Sequence, residues 1–571
     1  MKRLLETAGV EALHKKKLEE TNETDCSDAI CSPISTLSDV WNYSKEPPQW
    51  VKKIVDLKPR SNFVIQNSTI PCHVESYKFN PSERLYRNMC PRTLVCHDMK
   101  GGYIEDKYVE PTNLGNGYAF YRWSQIDIFV YFSHHLITIP PLSWINAAHN
   151  NGVKILGTFI TEWKPGKKVC DEIFVNSETI TSFVNELVDI CILFKLDGWL
   201  LNIENEINNT ENLILFVKQL TEAIHVKHPG SLIIWYDSVI SDGKLKWQNE
   251  LNHFNSCYFD QCDGIFLNYS WNEGNLANSL KAAQHRRLDV YVGVDVFGRN
   301  FFGGGNFNTY LAVEKIRKYN LSMAIFAQGW THETLKPEPS DTILERFLVR
   351  DNVFWKTLWP YLYTHPINNT FETFFYVGVD KDWFKLHSQE IQLSQFLVPN
   401  EKLEDASSIE RIPNTCNCLQ LHCQDAYTSC CITNKIFNSL GTYVHHLFSC
   451  DINVTSPLAL YCYYKVEESR SEFLDLILLV QNQNGSIRKV VCHGHNNNKE
   501  RSNNNSLLEV LRANENTATS MIVNRDKVPS DWILGCYLLE LKDCKIIEIG
   551  ATVSGKSSIC LCGIGIKAIN N

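Results

Sequence analysis

The sequence predicts a (β/α)₈ barrel followed by an antiparallel β-sandwich region, and three observations carry that expectation. Eight short apolar runs recur between Leu94 and Trp330 at intervals of roughly 26 to 45 residues, the rhythm of repeated strand–helix units. The runs are continuously apolar rather than alternating, as parallel strands buried on both faces require. Past residue 345 helical periodicity fades, and turn-bounded β-branched and aromatic runs take over.

In order, the eight barrel runs are Leu94–Met99, Ile126–His134, Val153–Thr161, Gly198–Glu204, Leu232–Ser238, Gly264–Ser270, Val290–Phe297 and Met323–Trp330. Between the fourth and fifth, Leu213, Phe216, Val217, Leu220 and Ile224 share one helical face, and His228-Pro229-Gly230 ends that helix. The later runs are Phe371–Val379, Tyr443–Cys450, Leu458–Val466, Phe473–Val480, Ile487–Cys492, Trp532–Glu540, Lys545–Val553 and Ser558–Ile566. Asn484-Gly485 marks a hairpin between two of them. The expected division is a charged, aperiodic arm at 1–30, a barrel at 31–345 and one or two small β domains at 346–571. The Asn-rich stretch from Asn496 to Asn505 reads as a surface insertion.

Composition narrows the function classes. A formal charge of −9 over 571 residues argues against a nucleic-acid binder. No apolar run is long enough for a membrane span or a signal peptide, so the 21 cysteines are expected as thiols in the cytosol. The sequons Asn208-Asn209-Thr210 and Asn268-Tyr269-Ser270 agree with that compartment, because a glycan there would block the barrel mouth. Cys416, Cys418, His422, Cys423, Cys430 and Cys431 cluster in sequence, as do Cys492, His493 and His495. Neither group has the paired spacing of a zinc site. No metal or organic cofactor is expected.

A barrel enzyme carries its chemistry at the C-terminal ends of its strands. Here those ends are polar or aromatic: His97-Asp98, His134, Thr161-Glu162-Trp163, Asn202-Ile203-Glu204, Tyr236-Asp237, Asn268-Tyr269-Ser270-Trp271, Asp295 and Gln328-Gly329-Trp330. They would converge on one deep, aromatic-walled cleft. The segment Asp197-Gly198-Trp199-Leu200-Leu201-Asn202-Ile203-Glu204 is the most informative. Strand alternation projects Asn202 and Glu204 to one face and Leu201 and Ile203 to the other. A carboxyl at the end of an apolar strand is partly desolvated, which raises its pKa toward neutrality. One acid beside one amide-orienting group is what substrate-assisted hydrolysis of an N-acetylated sugar needs, the acetamido oxygen replacing a second carboxylate. A two-carboxylate glycosidase would need another acid near Glu204, and Asp237 is the obvious candidate.

These motifs resemble those of glycoside hydrolase family 85, the cytosolic endo-β-N-acetylglucosaminidases. The resemblance covers most of the barrel. It rests on Leu94-Val95-Cys96-His97-Asp98-Met99-Lys100-Gly101-Gly102-Tyr103, the run from Tyr131-Phe132-Ser133-His134 to Thr138-Ile139-Pro140-Pro141, and Gly157-Thr158-Phe159-Ile160-Thr161-Glu162-Trp163. Further on, Asp197-Gly198-Trp199 with Asn202-Ile203-Glu204, Trp235-Tyr236-Asp237-Ser238, Asn268-Tyr269-Ser270-Trp271 and Asp295-Val296-Phe297 follow in the same order. The resemblance implies Glu204 as general acid/base, Asn202 as the residue orienting the 2-acetamido group, Tyr236 as support for the intermediate, and Trp271 and Trp330 as sugar-stacking walls. His134, Glu162, Trp163, Asn268 and Asp295 are expected to complete the substrate cleft. The implied reaction is cleavage between the two GlcNAc residues of the N-glycan chitobiose core, releasing free oligosaccharide from N-glycans, glycopeptides or oligosaccharides. One departure is Asn300 after Arg299, where a small residue such as Gly is expected; the C-terminal β region matches only loosely, through segments such as Cys423-Gln424-Asp425. A chitinase-like barrel would carry carboxylates where Leu200 and Asn202 stand, which leaves an inactive chitinase-like carbohydrate-binding protein as the main alternative; retention of Glu204 argues against it.

Overall fold

The computed structural model describes residues 29–43, 47–66, 84–109, 117–336, 343–373, 407–412, 416–422, 444–466, 473–494, 507–513, 532–553 and 558–569. Eight parallel strands close on themselves: β1 (Thr93–His97), β2 (Ile128–Tyr131), β3 (Lys154–Glu162), β4 (Gly198–Glu204), β5 (Leu232–Tyr236), β6 (Gly264–Leu267), β7 (Val290–Asp295) and β8 (Ser322–Phe326). Closure is made by Ala324 of β8 opposite Leu94 of β1, while Ile128 of β2 faces Lys154 of β3. Around the barrel run α1 (Leu142–Asn150), α2 (Trp163–Ile173), α3 (Ser177–Leu193), α4 (Thr210–Lys227), α5 (Glu273–Ala283), α6 (Thr309–Lys318) and α7 (Ile343–Leu358). The boundary expected at 345/346 falls inside α7, whose Phe354, Trp355 and Leu358 lie in the barrel's main core.

Two cores follow from strand alternation. Leu94, Cys96, Val130, Leu156, Ile160, Leu200, Ile234 and Phe266 fill the barrel interior, whereas Trp199, Leu201 and Ile203 point outward into the layer shared with the helices. Leu213, Phe216, Val217, Leu220 and Ile224 of α4 are buried in that outer layer, on the face expected from their spacing. Asn209 caps α4 by accepting from the Asn212 amide at 3.1 Å, relieving one of the free donors of the first turn.

Asp197 and Gly198 anchor the start of β4. Asp197 is buried, accepting from the Ile155 amide at 2.8 Å and from His149 Nε2 at 3.0 Å, with His228 at 3.5 Å. Those partners outweigh the burial penalty and hold its carboxyl down at about 2. Gly198 sits at φ 134, where a Cβ would lie 1.9 Å from the Leu232 carbonyl oxygen. This half of the motif is structural; it fixes the register that delivers Asn202 and Glu204 to the other end.

The C-terminal strands form two sheets of six and five members around one shared core, a single sandwich among the described residues. Its hairpin at Asn484-Gly485 has Gly485 at φ 80 and joins Leu474–Asn482 to Ile487–His493. One pairing departs from the antiparallel expectation: Leu507–Leu511 runs parallel to Ile487–His493. Ala119, Tyr121 and Phe347 pack from the barrel side into the sandwich core. The Asn-rich insertion lies outside the described residues.

Candidate active site

In-register pairing of β3 with β4 sets Glu162 directly opposite Glu204 and Ile160 opposite Asn202. One step beyond the Leu201–Trp235 pair, β5 contributes Tyr236. Three C-terminal strand ends therefore deliver Glu162, Asn202, Glu204 and Tyr236 to one edge of the barrel mouth.

Burial pushes the Glu204 carboxyl up to about 7, and the neighbouring Glu162 charge adds to the rise. The His134 cation and a hydrogen bond from the Trp247 indole pull the other way. Glu162 is held by His134, whose Nδ1 lies 3.0 and 3.2 Å from its two carboxylate oxygens. That bond raises the imidazole's pKa, against burial. The result is a hydrogen-bonded Glu162–His134 pair standing beside an acid held near neutrality, the condition general acid/base catalysis needs.

Asn202 is 4 % exposed, and its amide nitrogen is buried without a hydrogen-bond partner. An orphaned buried amide N–H costs about 1–3 kcal/mol, and such a group is satisfied by a ligand carbonyl. Tyr236 donates to Asn268 Oδ1 at 2.9 Å, and the Asn268 amide donates in turn to Asn249 Oδ1 at 2.7 Å. Burial holds the Tyr236 phenol well above its usual range, so it is a neutral donor.

Trp163 is 66 % exposed at the N-terminus of α2, with φ 53, an unusual conformation for an aromatic residue; it presents an open ring at the mouth. Trp271 and Trp330, expected as stacking walls, are instead packed inward. The Trp271 indole donates to the Gly293 carbonyl at 2.7 Å and stacks on Phe302 at 5.2 Å, leaving it 4 % exposed. Trp330 lies under the Arg350 guanidinium at 4.1 Å and against the edge of Phe307. Neither keeps an open face for a sugar.

Asp295 is also withdrawn. Its carboxylate accepts from the Phe297 and Arg299 amides at 3.1 and 3.0 Å and from the Arg299 guanidinium at 3.0 and 3.1 Å. What β7 offers to the mouth is Arg299, a cation ranged over Phe297 and Phe326. Asn300 adopts φ 49, a left-handed conformation that Asn tolerates, so the position where Gly was expected keeps its backbone shape.

Asp237 faces away from Glu204. It is fully buried, and both of its oxygens are taken by donors from the loop after β5 and from Asn268. His97 is likewise internal, bonded to Gln328 at 2.9 Å and held neutral because burial drives its pKa down to about 3. Sequence reasoning missed Trp247 and Arg299, whereas Tyr269 stands within its strand-end motif Asn268-Tyr269-Ser270-Trp271. Trp247 and Arg299 sit in irregular loops with no strand-end motif, and only their three-dimensional return to the mouth identifies them.

Of the cysteine groups, Cys423, Cys430, Cys431 and His495 lie outside the described residues. Cys492 is buried, and His493 pairs with Asp475 at 3.4 Å.

Residues 102–383 match the family model described as glycosyl hydrolase family 85. A chicken cytosolic endo-β-N-acetylglucosaminidase is 45 % identical over 318 residues, 53 % of this chain and 43 % of that protein. The human cytosolic endo-β-N-acetylglucosaminidase is 36 % identical over 482 residues, 80 % of this chain and 62 % of that protein. This chain spans about half the length of the curated relatives it matches. Among solved structures, the glycoside hydrolase domain of Endo-D from Streptococcus pneumoniae shares the fold, with a TM-score of 0.64 at 14 % identity over 95 % of this chain and 84 % of that one. Through residues 102–383, which span the barrel from the segment after β1 onward, the chain is similar to glycosyl hydrolase family 85.

Proposed function

We propose that this protein is an endo-β-N-acetylglucosaminidase that hydrolyses the GlcNAc-β1,4-GlcNAc bond of the N-glycan chitobiose core, with retention, through an oxazoline-type intermediate. The match to the family model and the similarity to the named relatives support the reaction class. One observation carries the mechanism: an unpartnered, buried Asn202 amide stands two residues from a Glu204 held near neutrality.

Glu204 protonates the leaving GlcNAc oxygen while the substrate's own acetamido oxygen attacks C1 from the opposite face. Asn202 holds that acetamide in attack geometry, and Tyr236, fixed by Asn268, supports the charge that develops. Glu204 then takes a proton from water, which opens the oxazoline. Making the attack intramolecular is worth roughly 7–11 kcal/mol at the upper end.

A two-carboxylate mechanism would have to use Glu162, since Asp237 is turned away. Glu162 and Glu204 are register partners on adjacent strands, so their Cα atoms are about 5 Å apart. Both then approach a sugar from the same side, whereas acid and nucleophile must flank it. N-glycans, glycopeptides or free oligosaccharides are the substrate class, and the cytosol is the compartment that the relatives' names suggest. Incubation with a labelled N-glycopeptide followed by mass spectrometry tests the reading. The peptide should keep a single GlcNAc; a peptide with bare Asp or Asn, or an uncut glycan, would refute it.

A further inference from the structure

We propose that Asp237 is a positioning residue that holds the 241–255 loop against the mouth, so that Trp247 reaches Glu204 and Asn249 braces the Asn268–Tyr236 pair. The proposal rests on the functional reading above.

Asp237 follows directly after β5 on the outward face, opposite in direction to Tyr236, and is 0 % exposed. Its carboxylate accepts from the Gln248 amide at 3.1 and 3.2 Å, the Asn249 amide at 2.7 Å, the Asn255 side-chain amide at 3.0 Å and the Asn268 amide at 3.4 Å. Converging N–H donors on one buried carboxylate make a rigid node, and three of the four come from a single loop. That loop has no helix or strand between Ser241 and Asn255; the Val239–Leu245 bridge and the Lys246 amide on the Ser238 carbonyl hold its start, the Leu251 amide on Ser279 Oγ holds its far side, and the node fixes Gln248 and Asn249 between them. Asn249 takes φ 59, a conformation open to Asn.

Two arms leave the node. The residue before Gln248 is Trp247, whose indole N–H reaches the Glu204 carboxyl. The residue whose amide bonds most closely, Asn249, accepts from the Asn268 side chain at 2.7 Å and from the Ser270 amide at 3.0 Å; Asn268 accepts from Tyr236. One buried carboxylate thus connects to both the acid and the phenol without touching either. Sequence placed Asp237 as a possible second catalytic acid; its geometry gives it this other task.

Groups that bear on the Glu204 titration are Glu162 from β3, His134 from the segment after β2, Trp247 from the loop, and Tyr236 and Tyr269 from β5 and the segment after β6. Losing the Trp247 donor removes an interaction that favours ionised Glu204, so the acid's pKa rises. Asp237→Asn should therefore lower kcat about tenfold with KM little changed. It should also move the alkaline limb of the kcat profile to higher pH by about half a unit.

The activity-independent readout is the indole ¹⁵N–H resonance of Trp247, assigned by its loss in Trp247→Phe. In the wild type it should titrate with Glu204, and in Asp237→Asn that titration should vanish. Trp247→Phe should reproduce the shift of the alkaline limb, and the double variant should shift it no further. Wild-type titration and limb in a folded Asp237→Asn, or additive shifts in the double variant, would overturn the proposal. If Asp237→Asn does not fold, Asn255→Ser removes one donor from the node and should shift both readouts in the same direction; unchanged readouts would count against the proposal equally. A wild type that shows the indole titration but cuts no glycopeptide would instead sink the enzymatic reading and leave the positioning role standing.

Discussion

Replacing Glu204 with Gln should raise stability at alkaline pH while it destroys activity. The carboxyl is held at about 7 in the folded chain against 4.5 for a free glutamate. Between those values the folded state binds more protons than the unfolded one, so stability falls as pH rises through that window. At pH 8 the folded carboxyl is mostly ionised, and nearly all of that stability has been lost. The ceiling from the two pKa values is about 3.4 kcal/mol, taking 1.36 kcal/mol per pH unit. Because the side chain is partly exposed at the mouth, solvent screening brings the expected gain to roughly 2 kcal/mol. Glu204→Gln should then melt a few degrees above wild type at pH 8 and level with it at pH 4 in differential scanning fluorimetry. Its turnover should fall by several orders of magnitude, since the amide cannot give a proton to the leaving oxygen. An equal melting shift at both pH values would refute the claim that Glu204 is a strained, desolvated acid. So would turnover above about a tenth of wild type.

Other outcomes follow from the same geometry. Glu162→Gln removes the charge that raises Glu204, so the alkaline limb of kcat/KM should drop by about half to one pH unit with activity retained near pH 6; complete inactivity at every pH would favour a two-carboxylate mechanism. Gly198→Ala drives a Cβ to 1.9 Å from the Leu232 carbonyl oxygen at a φ of 134, and should cost on the order of 4 kcal/mol or yield no soluble protein. Wild-type melting behaviour in that variant would count against the β4–β5 register. Glycan release should be indifferent to EDTA; loss of activity restored by zinc would redirect attention to the cysteine groups.

Much of the barrel was legible because buried parallel strands leave long apolar runs, and Gly198–Glu204 matches its strand at both ends. The run Ile126–His134 was too long: only Ile128–Tyr131 stays in the barrel sheet, and the chain returns through Ile137–Thr138 antiparallel to β3. Apolar composition cannot tell those two neighbours apart. Strands at Phe63–Gln66, Arg84–Tyr86 and Leu507–Leu511 escaped notice because they are short and only partly buried. At the mouth, alternation placed Asn202 and Glu204 correctly on the inner face, and register explains Glu162. The sequence offers Asp237 as a second acid near Glu204, yet alternation along β5 turns the residue after inward Tyr236 outward, and the structure buries it there. The tryptophans were harder. An indole shortly past a strand end looks the same in sequence whether it stands exposed, as Trp163 does, or packs into the wall, as Trp271 does.

The central claim, that the substrate's acetamide and not a protein carboxylate attacks C1, is tested most directly with Asn202→Ala and a synthetic sugar oxazoline. That variant should be crippled on a natural N-glycan, because nothing orients the acetamide. Given the pre-formed oxazoline and a GlcNAc acceptor it should still transfer, since Glu204 remains to take the acceptor's proton, and the product should accumulate. Equal loss of transfer and hydrolysis, or a covalent glycosyl adduct on Glu162 or Asp237 in the wild type, would contradict the account.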